Sequence, residues 1–174
     1  MKAEAKLLKD RSLAGRVSPD IVLLAFFSEG DINGKNDLTE AVIDKLKRIA
    51  PSADMAGVTL GLETWLNEAD HRHILDSVAS PAVKVYYDVA NSHKMGYDIY
   101  KEIKSLGREN ICQIYCKENG FLLGQGLVDF NRLKDCLDTI GYDNWLVIES
   151  AVPKDMEVSQ AYKHNRAYLR SVFS

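Results

Sequence analysis

The sequence predicts an α/β protein of the (β/α)8 TIM-barrel type, truncated to about five βα units. Five predicted strands are each followed by a predicted helix, and consecutive strands begin about 25 to 37 residues apart, a normal size for a βα unit with parallel pairing. Three of these strands end in an acidic residue: Glu63, Asp88 and Glu149. Barrels place functional groups at the C-terminal ends of several strands, so these acids favour a barrel.

A doubly wound open sheet also fits this alternation, but it usually carries a glycine-rich phosphate loop after its first strand. No GxGxxG motif follows residues 21–27, and Gly124-Gln125-Gly126 is better explained by loop flexibility than by nucleotide binding. A complete barrel needs about 250 residues, whereas this chain has 174. We therefore expect a single domain over residues 1–174 that lacks the three N-terminal βα units of a barrel.

The first half of the chain predicts a helix, then two strand–helix units. A helix over residues 2–14 ends at Gly15, and the apolar run at 21–27 is typical of a strand buried on both faces. Helical spacing of apolar residues from Leu38 predicts a helix that Pro51 kinks or restarts and that ends near Gly57. A strand over 58–63 and a helix over about 68–79 follow.

The second half repeats the pattern three times, with glycines at several helix ends. Strands are predicted over 83–89, 111–116 and 145–149, and helices over about 95–106, 129–140 and 155–172, with a loop at 119–126. Alternation places Val83, Val85 and Tyr87 on one face of the third strand and Tyr86 and Asp88 on the other.

The three acid-ended strands share one apolar face and deliver a carboxylate to the other side. A single acid at a strand end is more often a helix N-cap or an ion-pair partner. Three at equivalent ends of neighbouring strands indicate a shared cation, because their mutual repulsion would otherwise raise their pKa values and cost stability.

Composition limits the other functional classes. The formal charge is −3, and no basic run indicates binding to nucleic acid or to an anionic membrane. No apolar run reaches the roughly 20 residues of a membrane span, and the N-terminus has no signal-peptide core. Three cysteines without scaffold spacing favour a reducing compartment, so we expect a cytoplasmic protein. Cys112 and Cys116 are predicted to be buried thiols opposite Gln113 and Tyr115.

Several segments together resemble the sugar phosphate isomerase/epimerase family. This family belongs to the xylose isomerase-like TIM-barrel superfamily, which also contains ketose 3-epimerases and endonuclease-four-type enzymes. The similar segments are Gly61-Leu62-Glu63, Tyr87-Asp88-Val89-Ala90-Asn91, 111–119, 124–130 and 140–149. Their order and spacing correspond to the last five strands of such a barrel.

The resemblance implies a divalent metal at the C-terminal mouth, held by Glu63, Asp88 and Glu149. The third ligand of the family, a histidine, falls on Tyr115. Gln113 has the same inward parity and is expected to supply an amide oxygen instead. Oxygen ligands suit Mn2+ or Mg2+ better than zinc.

The implied reaction is sugar isomerisation or epimerisation in carbohydrate metabolism, by proton transfer through an enediolate. Glu63 and Glu149 would exchange the proton and serve as ligands at the same time. Five residues are candidate contacts of a small-molecule sugar: Trp65, Asn91, His93, Tyr115 and Lys117. Four of them also have an ordinary interpretation: packing for Trp65, loop capping for Asn91 and His93, and pairing with Glu118 for Lys117. Tyr115 could equally indicate weakened or absent metal binding.

Two other functional classes remain open. One is a truncated, catalytically inactive barrel remnant, and the less favoured one is an endonuclease-type phosphodiesterase, which needs a basic face and more histidines. His71 and His73 lie two apart on a helix and are predicted to be at the surface. Because five strands leave apolar edges, we expect the chain to be a homo-oligomer or to self-associate.

Overall fold

The computed structural model describes residues 19–149 and 152–174. These residues form five strands that alternate with helices along the chain. The strands are β1 (Ile21–Ala25), β2 (Thr59–Glu63), β3 (Val83–Asp88), β4 (Ile111–Cys116) and β5 (Leu146–Ile148). The helices are α1 (Asn36–Ala56), α2 (Glu68–Val78), α3 (Val89–Lys94), α4 (Ile99–Leu106), α5 (Phe130–Ile140) and α6 (Val158–Phe173). Two 3-10 turns lie at Ser28–Gly30 and Arg108–Asn110.

All five strands pair in parallel, in the order β1-β2-β3-β4-β5. Neighbours in the chain are therefore neighbours in the sheet, as in a (β/α)8 barrel. The sheet curls into a half-barrel with helices packed on its outer face, which confirms the predicted fold class.

The hydrophobic core lies between the outer face of the sheet and the helices. Apolar side chains of alternate strand positions, such as Leu62, Val85, Tyr87 and Ile114, are at most 1% exposed. They pack with the apolar stripes of the helices, for example Ile103. Alternation then directs the remaining strand side chains to the concave inner face.

Local sequence signals set most of the helix boundaries. Asn67 and Asp129 cap α2 and α5 with their side-chain oxygens, and Gly57 and Gly141 end α1 and α5 in the left-handed conformation. The helix containing Pro51 does not restart there but continues to Ala56. The helix predicted over 95–106 is also different: the chain forms a short α3 directly after β3 and begins α4 at Ile99.

β1 differs from its prediction as a strand buried on both faces. Leu23 is 39% exposed and Ala25 is exposed, because they point to the inner face, where no described strand lies opposite them. The helix predicted over residues 2–14 lies outside the described residues.

The inner face contains an irregularity in β4 that the strand pattern does not predict. Val85 pairs with Ile111, but Tyr86 pairs with Gln113, so Cys112 is an extra residue in the ladder. This bulge places the Cys112 thiol near Gly61 and the Tyr86 ring, on the inner face. The prediction that Cys112 points away from Gln113 is therefore wrong, whereas Cys116 packs in the outer core as predicted.

His71 is the second correction. It is 2% exposed and lies on the buried side of α2, and its ring nitrogen Nε2 lies 3.0 Å from Thr64 Oγ1. Burial lowers the pKa of His71 to about 4, so the ring is neutral at physiological pH. His73 is exposed as predicted and pairs with Glu40. None of the described helices is long and apolar enough to cross a membrane.

Candidate metal and proton-transfer site

Three carboxylates converge at the C-terminal edge of the half-barrel. Glu63 ends β2, Asp88 ends β3, and Glu149 follows β5 directly. One oxygen from each lies within 4.8 Å of one from each of the others. They meet because parallel strands present their carboxyl ends at the same edge, and because their side chains share the inner parity.

The two oxygens of Asp88 have different surroundings. Oδ1 accepts hydrogen bonds of 2.9 Å from the backbone N–H groups of Ala90 and Asn91 and so caps α3. Oδ2 is buried and accepts no hydrogen bond within the described part of the chain. It does lie 3.4 Å from Lys117 Nζ, which is an ion-pair distance. Burial raises the pKa of Asp88, although the Asn91 N–H and Lys117 oppose the shift.

Glu63 is only 6% exposed and has a strongly shifted pKa. Burial, followed by the charges of Asp88 and Glu149, raises the pKa of Glu63 to about 7. Asn91 Nδ2 lies 3.5 Å from Glu63 Oε1, and the carbonyl of Glu63 accepts a 2.9 Å bond from the Phe26 N–H. The chain thus fixes this carboxyl group at the strand end, in a state that can hold or release a proton near neutral pH.

Lys117 provides a positive charge inside the site. Its Nζ is 3.0 Å from Glu149 Oε2 and 3.4 Å from Asp88 Oδ2. Burial opposes this charge, but Asp88 and then Glu149 raise the pKa of Lys117. Lys117 therefore pairs with two site carboxylates, and Glu118 instead accepts from the N–H groups of Leu127 and Val128. The alternative of a Lys117–Glu118 pair is wrong.

By the resemblance, Tyr115 takes the place of a histidine ligand, and it lies on the inner face of β4. It pairs with Asp88 across the ladder, and its ring packs against Tyr86 with centroids 4.5 Å apart. Burial raises the pKa of Tyr115, with further contributions from Glu63, Glu149 and Asp88, so its hydroxyl is protonated. Gln113 pairs with Tyr86, one inner-face position further from the mouth than Tyr115. Its role as a ligand stays a prediction.

The other predicted contact residues lie around the same edge. Trp65 follows β2 and packs against Phe27, with ring centroids 5.2 Å apart. Asn91 contacts Glu63. Burial raises the pKa of Glu118, and His93, on α3, lies close enough to Glu118 to oppose part of that shift. Their roles in binding a substrate stay predictions.

Sequence reasoning did not identify Phe27 or the Thr64–His71 pair. Phe27 follows β1, which has no acidic residue at its end, so the pattern of acids at strand ends did not indicate that Phe27 lies at the mouth. Thr64 follows Glu63 directly and accepts from the Leu66 N–H as well as contacting His71. Thr64 follows the end of β2, and His71 lies seven residues later in α2. A pattern of helical periodicity does not reveal a contact between two different elements.

The donor set fits a divalent cation. Three carboxylates in mutual reach, one with a buried oxygen that accepts no hydrogen bond within the described residues, provide the hard oxygen ligands that Mg2+ and Mn2+ prefer. Glu63, Asp88 and Glu149 would hold the ion, and Tyr115 or Gln113 could add a neutral oxygen.

The sequence matches a known protein family. A family model described as xylose isomerase-like TIM barrel matches residues 12–172. No curated protein matches the sequence.

Three solved structures have similar folds. L-Ribulose 3-epimerase has a TM-score of 0.67 and 22% identity, over 79% of this chain and 54% of that chain. D-Psicose 3-epimerase has a TM-score of 0.77 and 15% identity, over 98% of this chain and 70% of that chain. The IolI protein, with a bound zinc atom, has a TM-score of 0.71 and 16% identity, over 98% of this chain and 68% of that chain.

This chain thus spans between about half and 70% of the length of these structures. Their low sequence identity shows a common fold, and the family match covers nearly all of the sequence. The chain belongs to the xylose isomerase-like TIM-barrel family.

Proposed function

We propose that this chain carries the metal-binding and proton-transfer residues of a sugar, or sugar phosphate, isomerase or epimerase. The observation that carries the proposal is the convergence of Glu63, Asp88 and Glu149 at one strand edge, with a near-neutral pKa at Glu63. The names of similar folds, L-ribulose 3-epimerase and D-psicose 3-epimerase, support sugars as the substrate class.

Glu63 and Glu149 are the proposed proton-transfer pair. One carboxylate takes the proton from the carbon atom beside a ketose carbonyl, which leaves an enediolate. The other, in its protonated form, returns a proton to the opposite face. In the metal-free site, the pKa of Glu63 is raised to about 7, whereas a bound cation would lower it and favour the carboxylate that acts as the base.

A divalent metal is the proposed cofactor, held by Glu63, Asp88 and Glu149, with Mn2+ or Mg2+ favoured by the oxygen ligands. When bound, such an ion polarises a sugar carbonyl and stabilises the negative charge that develops on its oxygen. The zinc of the IolI structure is consistent with a metal in this fold.

The remaining mouth residues are proposed to orient the sugar. Trp65 offers an apolar surface that packs against Phe27, and Asn91 and His93 offer hydrogen-bonding groups beside Glu63 and Glu118. Tyr115 and Lys117 offer a hydroxyl and an ammonium group next to the carboxylates.

An inactive remnant is the second candidate. Two points favour it: the resemblance places the family's histidine on Tyr115, and Lys117 pairs with two of the three carboxylates. The endonuclease alternative has weaker support, because the sequence has no basic run to face DNA.

The test is incorporation of solvent deuterium into candidate ketoses in the presence of Mn2+. Wild-type protein should exchange the proton beside the carbonyl, whereas E149Q should lose about 10²–10⁴-fold in rate, as expected for a lost general base. D88N should lose rate through weaker metal binding and recover part of it in excess Mn2+.

E40Q is the matched control, since Glu40 is an exposed acid on α1 that pairs with His73. It should exchange at the wild-type rate. Equal exchange by E149Q and wild type would remove Glu149 from the mechanism, and no exchange by the wild type with any ketose would favour the inactive remnant.

A further inference from the structure

Lys117 is the one cation in contact with the site carboxylates among residues 19–149 and 152–174. It follows β4 directly, two residues after Tyr115, and its side chain is 22% exposed. Two anions of the site share this ammonium group, at 3.0 Å and 3.4 Å. The contacts join three consecutive strand ends, β3, β4 and β5, through a single side chain.

Asp88 has only one oxygen to offer to any cation at this place. Its Oδ1 is committed to two backbone N–H groups of α3, and Oδ2 is the atom that lies near Lys117. A metal ion that binds Asp88 therefore takes the same oxygen that the ammonium group neutralises. Glu149 Oε2 is likewise already paired with Lys117.

We propose that Lys117 is a built-in counter-ion of the metal-free site, and that it competes with the divalent metal for Asp88 and Glu149. The inference rests on the metal part of the proposed function. In the metal-free state the ammonium offsets the repulsion between carboxylates that lie within 4.8 Å of one another. In the metal-bound state two cations would share these anions, so the Lys117 ion pairs weaken and its amine moves away.

The identity of residue 115 agrees with this proposal. A histidine at that position would add a neutral nitrogen ligand for the metal, whereas the hydroxyl of a tyrosine is a poorer ligand. The chain thus has one strong ligand fewer for a metal and a cation of its own beside the remaining three. Both features weaken metal binding and stabilise the metal-free form.

The experiment measures Mn2+ binding to the full chain by titration calorimetry, with wild type, K117M, K117R and K101M. Methionine keeps an unbranched side chain that is one atom shorter than that of lysine and removes its charge, while arginine retains the charge. Lys101 is exposed on α4, so K101M makes the same change in net charge away from the site. K117M should bind Mn2+ about 10-fold tighter or more, because a like charge has been removed from the site. K117R and K101M should remain close to wild type.

A second measurement needs no variant and remains valid if K117M fails to fold. Lysine residues of the wild type are labelled with an amine reagent, with and without Mn2+, and the extent at Lys117 is read by mass spectrometry. Mn2+ should increase labelling of Lys117 several-fold relative to Lys101. Unchanged labelling at saturating Mn2+ would overturn the proposal.

The outcomes separate this inference from the function on which it rests. Mn2+ binding of equal affinity by wild type and K117M would overturn the role of Lys117 and leave the metal site standing. Failure of both folded proteins to bind Mn2+ would overturn the metal site and the counter-ion together.

Discussion

At the scale of single residues, Glu63 shows how the fold creates chemistry. It ends a buried strand, next to two further carboxylates, and its pKa rises from 4.5 to about 7. A folded-state pKa above the unfolded one means that the folded chain binds more protons between these two values. Stability contributed by the protonated form is therefore lost as pH rises from about 4.5 to 7.

Glu63→Gln should remove most of this pH dependence from the metal-free protein. The glutamine is neutral at every pH. The free energy of unfolding of the variant should therefore rise relative to that of the wild type as pH rises, by up to about 3 kcal/mol for a shift of this size. The measurement is urea unfolding at several pH values in the presence of a chelator. Parallel stability curves for the two proteins between pH 4.5 and 7 would contradict the raised pKa.

At the scale of elements, the bulge in β4 determines what lies on the inner face. Cys112 is the extra residue, and its thiol donates to the Val85 carbonyl at 3.3 Å. The thiol fills space over Gly61, where a Cβ would lie 3.0 Å from the sulfur and 3.1 Å from the Tyr86 ring. The glycine at position 61, one inner position below Glu63, therefore fits a closely packed place where a Cβ would push its neighbours aside.

Gly61→Ala should destabilise the protein by about 1–3 kcal/mol, as overpacking usually does. In a Cys112→Ala background the cost should be smaller by about 1 kcal/mol, because the nearest atom has been removed. Chemical denaturation of the wild type, the two single variants and the double variant gives the coupling free energy between positions 61 and 112. Gly30→Ala is the control: no atom lies within 4 Å of its Cβ, so its effect should stay within about 0.5 kcal/mol.

An equal cost of Gly61→Ala in both backgrounds would contradict the inner position of Cys112. Such a result would instead support the predicted regular alternation of β4, in which the Cys112 and Cys116 side chains share the outer face.

The sequence was sufficient for the strand–helix order, the fold class and the positions of the three acids. These follow from periodic apolar patterns and from the geometry of parallel strands, which brings their C-terminal ends to one edge. The sequence did not predict which face of β4 the Cys112 side chain occupies. An inserted residue changes the alternation of side chains at one place in a strand, and the apolar pattern does not show where. Nor did it reveal the burial of His71, whose partner Thr64 lies at the end of β2.

Lys117 illustrates the same limit at the site. The sequence predicts Lys117 as a candidate sugar contact, but its partners depend on distances between three different strands. Glu118, next to it, holds the backbone of Leu127 and Val128 instead. Neighbours in a sequence can therefore serve different parts of a site.

At the scale of the whole molecule, the half-barrel has two sheet edges, at β1 and β5. In residues 19–149 and 152–174, no further strand pairs with either edge. Beside β5, a groove of about 680 Å³ is lined by Trp145, Leu146, Ile148, Leu169 and Phe173, together with two arginines. Trp145 is 75% exposed. Such apolar edges tend to pair with another chain.

The isolated chain should therefore self-associate. Sedimentation velocity over a range of concentrations should show dimers or larger species that gain mass with concentration. Trp145→Lys should shift the distribution towards monomer, because a charge discourages edge pairing. A stable, monodisperse monomer for the wild type at every concentration would contradict this prediction.

The proposed function depends on the three carboxylates acting as one metal site. Anomalous diffraction from crystals of the full chain soaked in Mn2+ tests this claim most directly. We predict one strong peak at the C-terminal strand edge, about 2.0–2.6 Å from oxygens of Glu63, Asp88 and Glu149. No peak at this edge at saturating Mn2+, or a peak elsewhere with Lys117 still paired to Asp88 and Glu149, would contradict it.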